Sequence, residues 1–216
     1  MDQIKLTTNQ IPIVYINLDH RVDRREHMEA QLQKYGLVAE RFSAIANPGF
    51  GIWGCGQSHM AVLKMAQSRG WHQVWILEDD FEFEISPEEF WFGYRNIVCG
   101  NDNLGPNYDA NWDVFMGAYN LREKAAISET DSLIRILFAQ TASCYIVRSH
   151  YFQKIIDLYE SAMPKLLATG HHWIYANDVV WHDLQRDDLW IGPTKRWGKQ
   201  LDGYSDNAQT VMKYDC

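Results

Sequence analysis

Cysteine is sparse and unpatterned: the chain has four in 216 residues. Cys55, Cys99, Cys144 and Cys216 form no CxxC pair and no dense framework, which argues against a small disulfide-stapled scaffold and for a reducing compartment. Long apolar runs are missing too. No stretch approaches the ~18 consecutive apolar residues of a spanning helix, and Asp2, Gln3 and Lys5 interrupt the place where a secretory signal would begin. The expectation is a soluble cytoplasmic chain without a transmembrane segment, at most peripheral at a membrane surface. Positive charge is also short. With 20 Lys and Arg against 28 Asp and Glu, the net charge is -8 and the isoelectric point about 5.4, which argues against a nucleic-acid partner held by a broad basic surface. Internal repeats, low-complexity tracts and linkers are absent as well, so residues 1–216 read as one domain.

Apolar and aromatic residues are plentiful. Hydrophobic residues make up 46% of the chain, enough for a buried core. Nine Trp and eleven Tyr raise the aromatic share to 13%, suited to core packing or to stacking on sugar rings and nucleobases. One stretch stands out. Val74-Trp75-Ile76-Leu77 reads as a strand buried on both faces and runs straight into Glu78-Asp79-Asp80. Three adjacent acids cannot share a dry site unless protons or a cation neutralise them. Strand alternation would put Glu78 and Asp80 on one side and Asp79 on the other. Such a pair at the carboxyl end of a strand suits a metal-dependent nuclease, a phosphatase or a sugar-nucleotide enzyme, all of which hold a hard cation against phosphate oxygens.

The rest of the chain frames this strand. Ile11 to Ile16 reads as a first strand, followed by a helix with Met28, Leu32 and Tyr35 on one stripe, Asp23 as its cap and Gly36 as its stop. Arg21, Arg24 and Arg25 cluster at that helix's start, either as a phosphate site or as a solvated turn. Val38 to Ile45 reads as a second strand. The glycine-rich run Gly49 to Gly56 is no Walker or Rossmann fingerprint, and its glycines allow tight turning or a close approach of backbone to a ligand. The next helix begins near Gln57 and carries His59, Val62, Leu63 and Ala66 on one stripe, which makes His59 a core residue or a ligand. The order β-α-β-α-β indicates a parallel, doubly wound sheet. Ser86-Pro87-Glu88-Glu89 is a helix start with a capping box. Gly100 to Ala110 reads as a loop, Trp112 to Met116 as a strand, and Gly117 to Ser132 as an excursion on the substrate side. Leu133 to Phe138 and Ser143 to Val147 are further strands, and a helix with Phe152, Ile155, Ile156 and Tyr159 on its stripe follows. A short helix is expected over Val179 to Leu184, with Asn177 or Asp178 as cap. The segment from Pro193, with Lys195, Arg196, Trp197, Lys199, Tyr204 and Asp206, reads as an ordered tail or lid, or as mere surface.

Three ordered motifs narrow the function: Ile16-Asn17-Leu18-Asp19-His20-Arg21-Val22-Asp23-Arg24-Arg25, Gly54-Cys55-Gly56-Gln57-Ser58-His59, and Ile76-Leu77-Glu78-Asp79-Asp80. Together they closely resemble glycosyltransferase family 25, which includes bacterial lipooligosaccharide galactosyltransferases and animal collagen galactosyltransferases. A fourth segment, Gln140 to Arg148, looks like the family's small-residue and strand segment, although Gln140 and Ser143 stand where glycine is common. The resemblance covers most of residues 12 to 160. It implies a single-domain GT-A type, Rossmann-like α/β fold with a mostly parallel central sheet flanked by helices. The nucleotide-sugar half would span about residues 10–110, and the acceptor half and tail about 111–216.

The same resemblance implies inverting transfer of a hexose from a UDP-sugar to a glycan, glycolipid or glycoprotein acceptor. Asn17, Leu18, Arg21 and Arg24 would hold the nucleotide, with Ser58 and His59 beside it at a helix N-terminus. Glu78 and Asp80 take the metal motif's place, for Mn²⁺ or Mg²⁺, with Asp79 or Glu78 near the ribose. An inverting transfer needs one general base. Asp178 is the candidate, at a helix start after the aromatic run His172 to Tyr175, with Asp113 in reserve. His172 and His182 are candidates to complete the metal shell, and Lys195 and Arg196 to touch the diphosphate. Two other readings stand beside this one: a carbohydrate-binding protein of the same fold without activity, and a metal-dependent phosphoesterase or nuclease.

Overall fold

The computed structural model describes residues 11–95, 112–127, 132–205 and 210–213. The expected loop over 100–110 lies outside them, as do Asp206 and Ile97, which the sequence places on the inner face of the helix starting at Pro87.

The chain opens with β1 (Ile13–Asn17), α1 (Val22–Tyr35), β2 (Glu40–Ser43), α2 (Gly51–Ser68) and β3 (Gln73–Glu78). Strand β1 lies between β2 and β3 and is parallel to both. The return from β2 therefore crosses β1, and the two helices take opposite faces of the sheet. Met28, Leu32 and Tyr35 of α1 pack with Ile13, Tyr15, Trp75 and Leu77. Val62, Leu63 and Ala66 of α2 pack with Val14, Ile16, Val74 and Ile76. Alternate residues of one strand thus feed two cores, which is why Val74 to Leu77 is an unbroken apolar run with no exposed surface. Strand order also reverses about β1, so the carboxyl ends of β1 and β3 open side by side at a topological switch point.

The next elements are β4 (Phe81–Phe83), α3 (Pro87–Gly93), β5 (Val114–Met116), β6 (Asn120–Ala126), β7 (Leu133–Gln140), β8 (Cys144–Arg148) and α4 (Ser149–Thr169). Short helices α5 (His172–Tyr175), α6 (Asn177–Val180) and α7 (His182–Asp187) follow, then β9 (Trp190–Pro193), β10 (Gly198–Gln200), β11 (Gly203–Ser205) and β12 (Thr210–Met212). The eight-stranded sheet runs β2-β1-β3-β8-β5-β9-β7-β6. This is a mixed α/β fold. Beyond β3 the sheet is no longer purely parallel: β8 is antiparallel to β3 and β5, β9 is parallel to β5, and β7 is antiparallel to β9 and β6. Strands from before residue 110 (β2-β1-β3) form one side of it and strands from after residue 110 the other, and the two expected halves meet in one sheet where β3 pairs with β8. Among the described residues no helix is long and apolar enough to cross a membrane.

Several local expectations meet corrections. Ser86 does make its capping box with Glu89, and Gly36 ends α1 in the left-handed region at φ 64°. Asp23, however, does not cap α1; Arg21 holds the cap position and binds Asp23 with its guanidinium. Part of the supposed excursion after Gly117 is β6, an edge strand paired with β7. Its middle residues, Arg122, Glu123 and Lys124, are exposed, so it carries no apolar alternation to read.

Gly49 does lie in a turn, but from Gly51 onward the glycine-rich run is the first part of α2. Glycine costs a helix about 1 kcal/mol against alanine, and close packing accounts for it here. A Cβ on Gly54 would stand 2.3 Å from the Ile45 carbonyl oxygen, and one on Gly56 would stand 2.4 Å from Met163 Sδ. Ser58 locks the same contact: its hydroxyl accepts from the Ile45 amide and donates to the Gly54 carbonyl, both at 2.8 Å. Gly54→Ala is expected to destabilise by about 1–3 kcal/mol, as overpacking does, because rigid backbone blocks the methyl. Gly56→Ala should cost less, since the Met163 side chain can move; paired thermal melts test the order.

Candidate functional site

The switch point opens into a cleft of about 400 Å³, lined from β1 and its turn by Ile16, Leu18 and His20 and from α1 by Arg24. Ile45 to Pro48 and residues Gly51, Cys55 and Ser58 of α2 form another wall; Glu78, Asp79 and Asp80 form the floor, and Gln200 and Tyr204 reach in from the tail.

Strand β3 ends at Glu78, and Asp79 and Asp80 lie in the turn to β4. The alternation expected across the three acids therefore stops one residue early. Asp79 and Asp80 converge on one cation instead: Arg24 Nη1 donates to Asp79 Oδ1 at 3.1 Å and to Asp80 Oδ2 at 2.9 Å. Asn17, buried at the end of β1, donates to Asp79 Oδ2 at 2.7 Å and to the Arg21 carbonyl at 3.0 Å. Its Oδ1 accepts from Arg41 Nε at 2.9 Å. Asn17 is therefore a brace behind Asp79 and not part of the cleft wall.

Glu78 turns the other way. Its Oε1 accepts from His59 Nε2 at 2.9 Å and lies 3.6 Å from Cys55 Sγ, while Oε2 accepts from Gln200 Nε2 at 3.3 Å. His59 Nδ1 meets the Tyr145 hydroxyl at 2.8 Å. Since ionised Glu78 only accepts, the Nε2 of His59 carries the proton.

These surroundings drive the carboxyls apart. Burial pushes Asp80 up to about 7, with the nearby Glu78 and Asp79 charges adding and Arg24 opposing. Burial raises Asp79 as well, against Arg24 and Asn17. For Glu78 burial is outweighed by the His59 and Cys55 hydrogen bonds and the Arg24 charge, and it titrates below the usual carboxylate range. One atom is left over. Asp80 Oδ1 is buried and makes no hydrogen bond of ordinary geometry among the described residues, although the Gln200 side chain lies near enough to the carboxyl to lower its pKa. An orphaned acceptor beside an ionised carboxylate fits a hard divalent cation, which takes oxygen ligands and leaves the rest of its shell to water and phosphate. Glu78 and Asp80 fit that role. Asp79 fits less well: Asn17 at 2.7 Å and the Arg24 charge at 3.1 Å hold its two oxygens, whereas Glu78 Oε2 meets the neutral Gln200 amide at 3.3 Å.

The tail lies against this site. Strand β10 pairs with β4, and the Leu201 amide donates to the Asp80 carbonyl at 2.7 Å. Arg24 Nη2 and Arg21 Nη1 both donate to the Tyr204 carbonyl, at 2.9 and 3.3 Å.

Other sequence candidates stand elsewhere. Ser58 and His59 sit well inside α2, not at its N-terminus, because the helix starts at Gly51. Both are fully buried; Ser58 serves the helix–loop contact, and His59 stands behind Glu78. Lys195 pairs with Glu89 at 3.0 Å and lines, with Arg196, a second cavity beside Tyr119 and Lys124. His172 is exposed against Trp173, His182 packs edge-on to Phe138, and neither lines the cleft. Asp113 accepts from the Leu189 amide, pairs with His150 and does not line the cleft.

Asp178 is half-buried in α6. Neither it nor Asn177 caps that helix, whose cap residue is Ala176. Its Oδ2 accepts from the Thr141 amide at 3.1 Å, and Thr141 holds a φ of 85°, which only glycine adopts freely. Burial raises the Asp178 carboxyl, the Thr141 amide opposes, and Glu78 adds to the rise. Asp178 is not among the residues lining the cleft, but its charge reaches Glu78 and Cys55.

No family model matches the chain, and no curated protein does. Solved structures are similar to it at low identity. One is A197 from STIV, at 10% identity and a TM-score of 0.47, covering 94% of this chain and 93% of that one. A glycosyltransferase involved in the glycosylation of the major capsid of PBCV-1 has 10% identity and a TM-score of 0.42, over 92% and 96%. The glycosyltransferase GlyE of Streptococcus pneumoniae TIGR4 has 9% identity and a TM-score of 0.46, over 85% of this chain and 45% of its own.

Proposed function

We propose that the chain is an inverting hexosyltransferase of the family 25, GT-A type, moving galactose or glucose from a UDP-sugar to a hydroxyl of a glycan, glycolipid or glycoprotein. The observation that supports this most is the orphaned Asp80 Oδ1 beside ionised Glu78, in a cleft where β1 and β3 end together. Glu78 and Asp80 would hold Mn²⁺ or Mg²⁺, which when bound offsets the diphosphate's charge and stabilises the leaving group. Arg24 brings positive charge to the same wall, and its bond and that of Arg21 to the Tyr204 carbonyl tie the tail to the donor side. Leu18 and the Ile45 to Pro48 loop supply the apolar wall for the base and ribose. Asp178 takes the proton of the acceptor hydroxyl as that oxygen attacks the anomeric carbon from the face opposite the diphosphate.

UDP and Mn²⁺ added together, at about a hundredfold excess over the dissociation constant, are expected to raise the melting temperature by roughly 5–10 °C. A screen of nucleotide sugars for Mn²⁺-dependent hydrolysis then identifies the donor. Absence of any response to nucleotides, with or without metal, would overturn the proposal. Glycan binding without donor turnover would turn it toward the inactive carbohydrate-binding reading.

A further inference from the structure

Beside the carboxylate pair, three ligand atoms of different chemistry meet. Cys55 Sγ, His59 Nε2 and Glu78 Oε1 all lie within 4.8 Å of one another, with His59 at 2.9 Å and Cys55 at 3.6 Å from the Glu78 oxygen. Helix α2 brings the first two together because residues four apart share a face, and β3 delivers the third at its end. We propose that Cys55, His59 and Glu78 form a site for a thiophilic divalent cation of the zinc class.

Two of the three spacings need little change to accept one, and the third, between thiol and imidazole, is at most 4.8 Å. Metal–sulfur bonds of about 2.3 Å and metal–nitrogen or –oxygen bonds of about 2.0–2.1 Å place tetrahedral ligand atoms about 3.3–3.6 Å apart. The thiol–carboxylate spacing is already there, and the imidazole–carboxylate pair opens by about 0.4 Å once a metal replaces its proton. His59 is held from behind by the Tyr145 hydroxyl at 2.8 Å, the kind of outer hydrogen bond that orients a metal-binding imidazole. Cys55 lines the cleft, which leaves an entry path and a fourth position facing it. On binding, the thiol proton leaves to water and the imidazole proton moves from Nε2 to Nδ1, facing Tyr145. Thiolate and imidazole select a softer ion than the oxygens of Glu78 and Asp80 do. Because Glu78 belongs to both sets, occupancy by such an ion would inhibit transfer. That consequence rests on the transferase reading; the binding itself does not.

Titrating Co²⁺ into the metal-free full chain tests it. The expected result is a near-ultraviolet thiolate-to-cobalt charge-transfer band, saturating at a single equivalent and removed by Zn²⁺. Cys55→Ser should lose the band and bind Zn²⁺ at least ~10-fold more weakly, whereas Asp80→Asn should keep it. The site would therefore survive failure of the transferase reading, and the reverse. In the unaltered chain, Zn²⁺ but not Mg²⁺ should slow alkylation of Cys55, mapped by peptide mass, so the test does not hinge on a variant's folding. No charge-transfer band in the parent protein, a band of full intensity in Cys55→Ser, or alkylation indifferent to Zn²⁺ would each overturn the proposal.

Discussion

Asp80→Asn is expected to lower transfer by on the order of 10²–10³-fold, the loss usual when one group serving transition-state charge is removed, while raising the melting temperature of the metal-free protein. The two effects have one cause. Without a cation, Asp80 is a carboxyl pushed up to about 7 by its burial and by Glu78 and Asp79, so its ionised form strains the folded state. Asparagine has the same shape, can still accept from Arg24, and carries no charge. A gain of about 2–4 °C corresponds to ~1 kcal/mol in a chain of this size. The same substitution leaves the proposed cation one carboxylate, so the Mn²⁺-dependent part of the UDP shift should vanish. Melting curves with and without UDP and Mn²⁺, set beside turnover, read all three effects. A variant that is less stable without metal, or that keeps the metal-dependent shift, would show that Asp80 is a structural partner of Arg24 and nothing more.

Where the sequence pattern was local, it was legible. The unbroken apolar run of β3 announced burial on both faces, and the serine, proline and glutamate of α3 announced its start. Where a distant contact decided, the pattern misled. Gly51, Gly54 and Gly56 favour a turn by propensity, yet they lie in α2 because Ile45 and Met163 press against Gly54 and Gly56. Strand β6 has no apolar alternation because its middle is exposed, so nothing in its composition marks it. The cleft follows the same division. Its three carboxylates were visible as a cluster, but their division between Arg24 and His59 depends on β3 ending at Glu78, a boundary that composition does not mark. Cys55 carried a usable signal, lying four residues before His59 on one helix. Tyr204 could not have been found as a partner of the arginines, since it offers them only its backbone carbonyl.

Asp178→Asn should leave the fold and donor binding as they are and reduce kcat by about 10²–10⁴-fold, the usual contribution of a general base. The structural role of Asp178 is to accept from the Thr141 amide and so hold that residue at a φ of 85°. An asparagine oxygen can accept the same hydrogen bond, so the strained turn between β7 and β8 keeps its support. A carboxamide cannot take a proton from a hydroxyl. Burial raises the Asp178 carboxyl, and the charge of Glu78 raises it further, which moves it toward the range in which a base works best near neutral pH. The substitution therefore removes basicity and spares geometry. The measurements are the melting temperature, the shift with UDP and Mn²⁺, and the division of the loss between kcat and the acceptor KM. The expected pattern is an unchanged melt, an unchanged donor shift and a loss confined to kcat. Asp178→Ala marks the structural share: it leaves the Thr141 amide without its acceptor and should lower the melting temperature, at a cost of about 1–3 kcal/mol. If Asp178→Asn turns over like the parent while Asp178→Ala melts early, the residue only supports the turn, and the base must be sought among groups nearer the cleft.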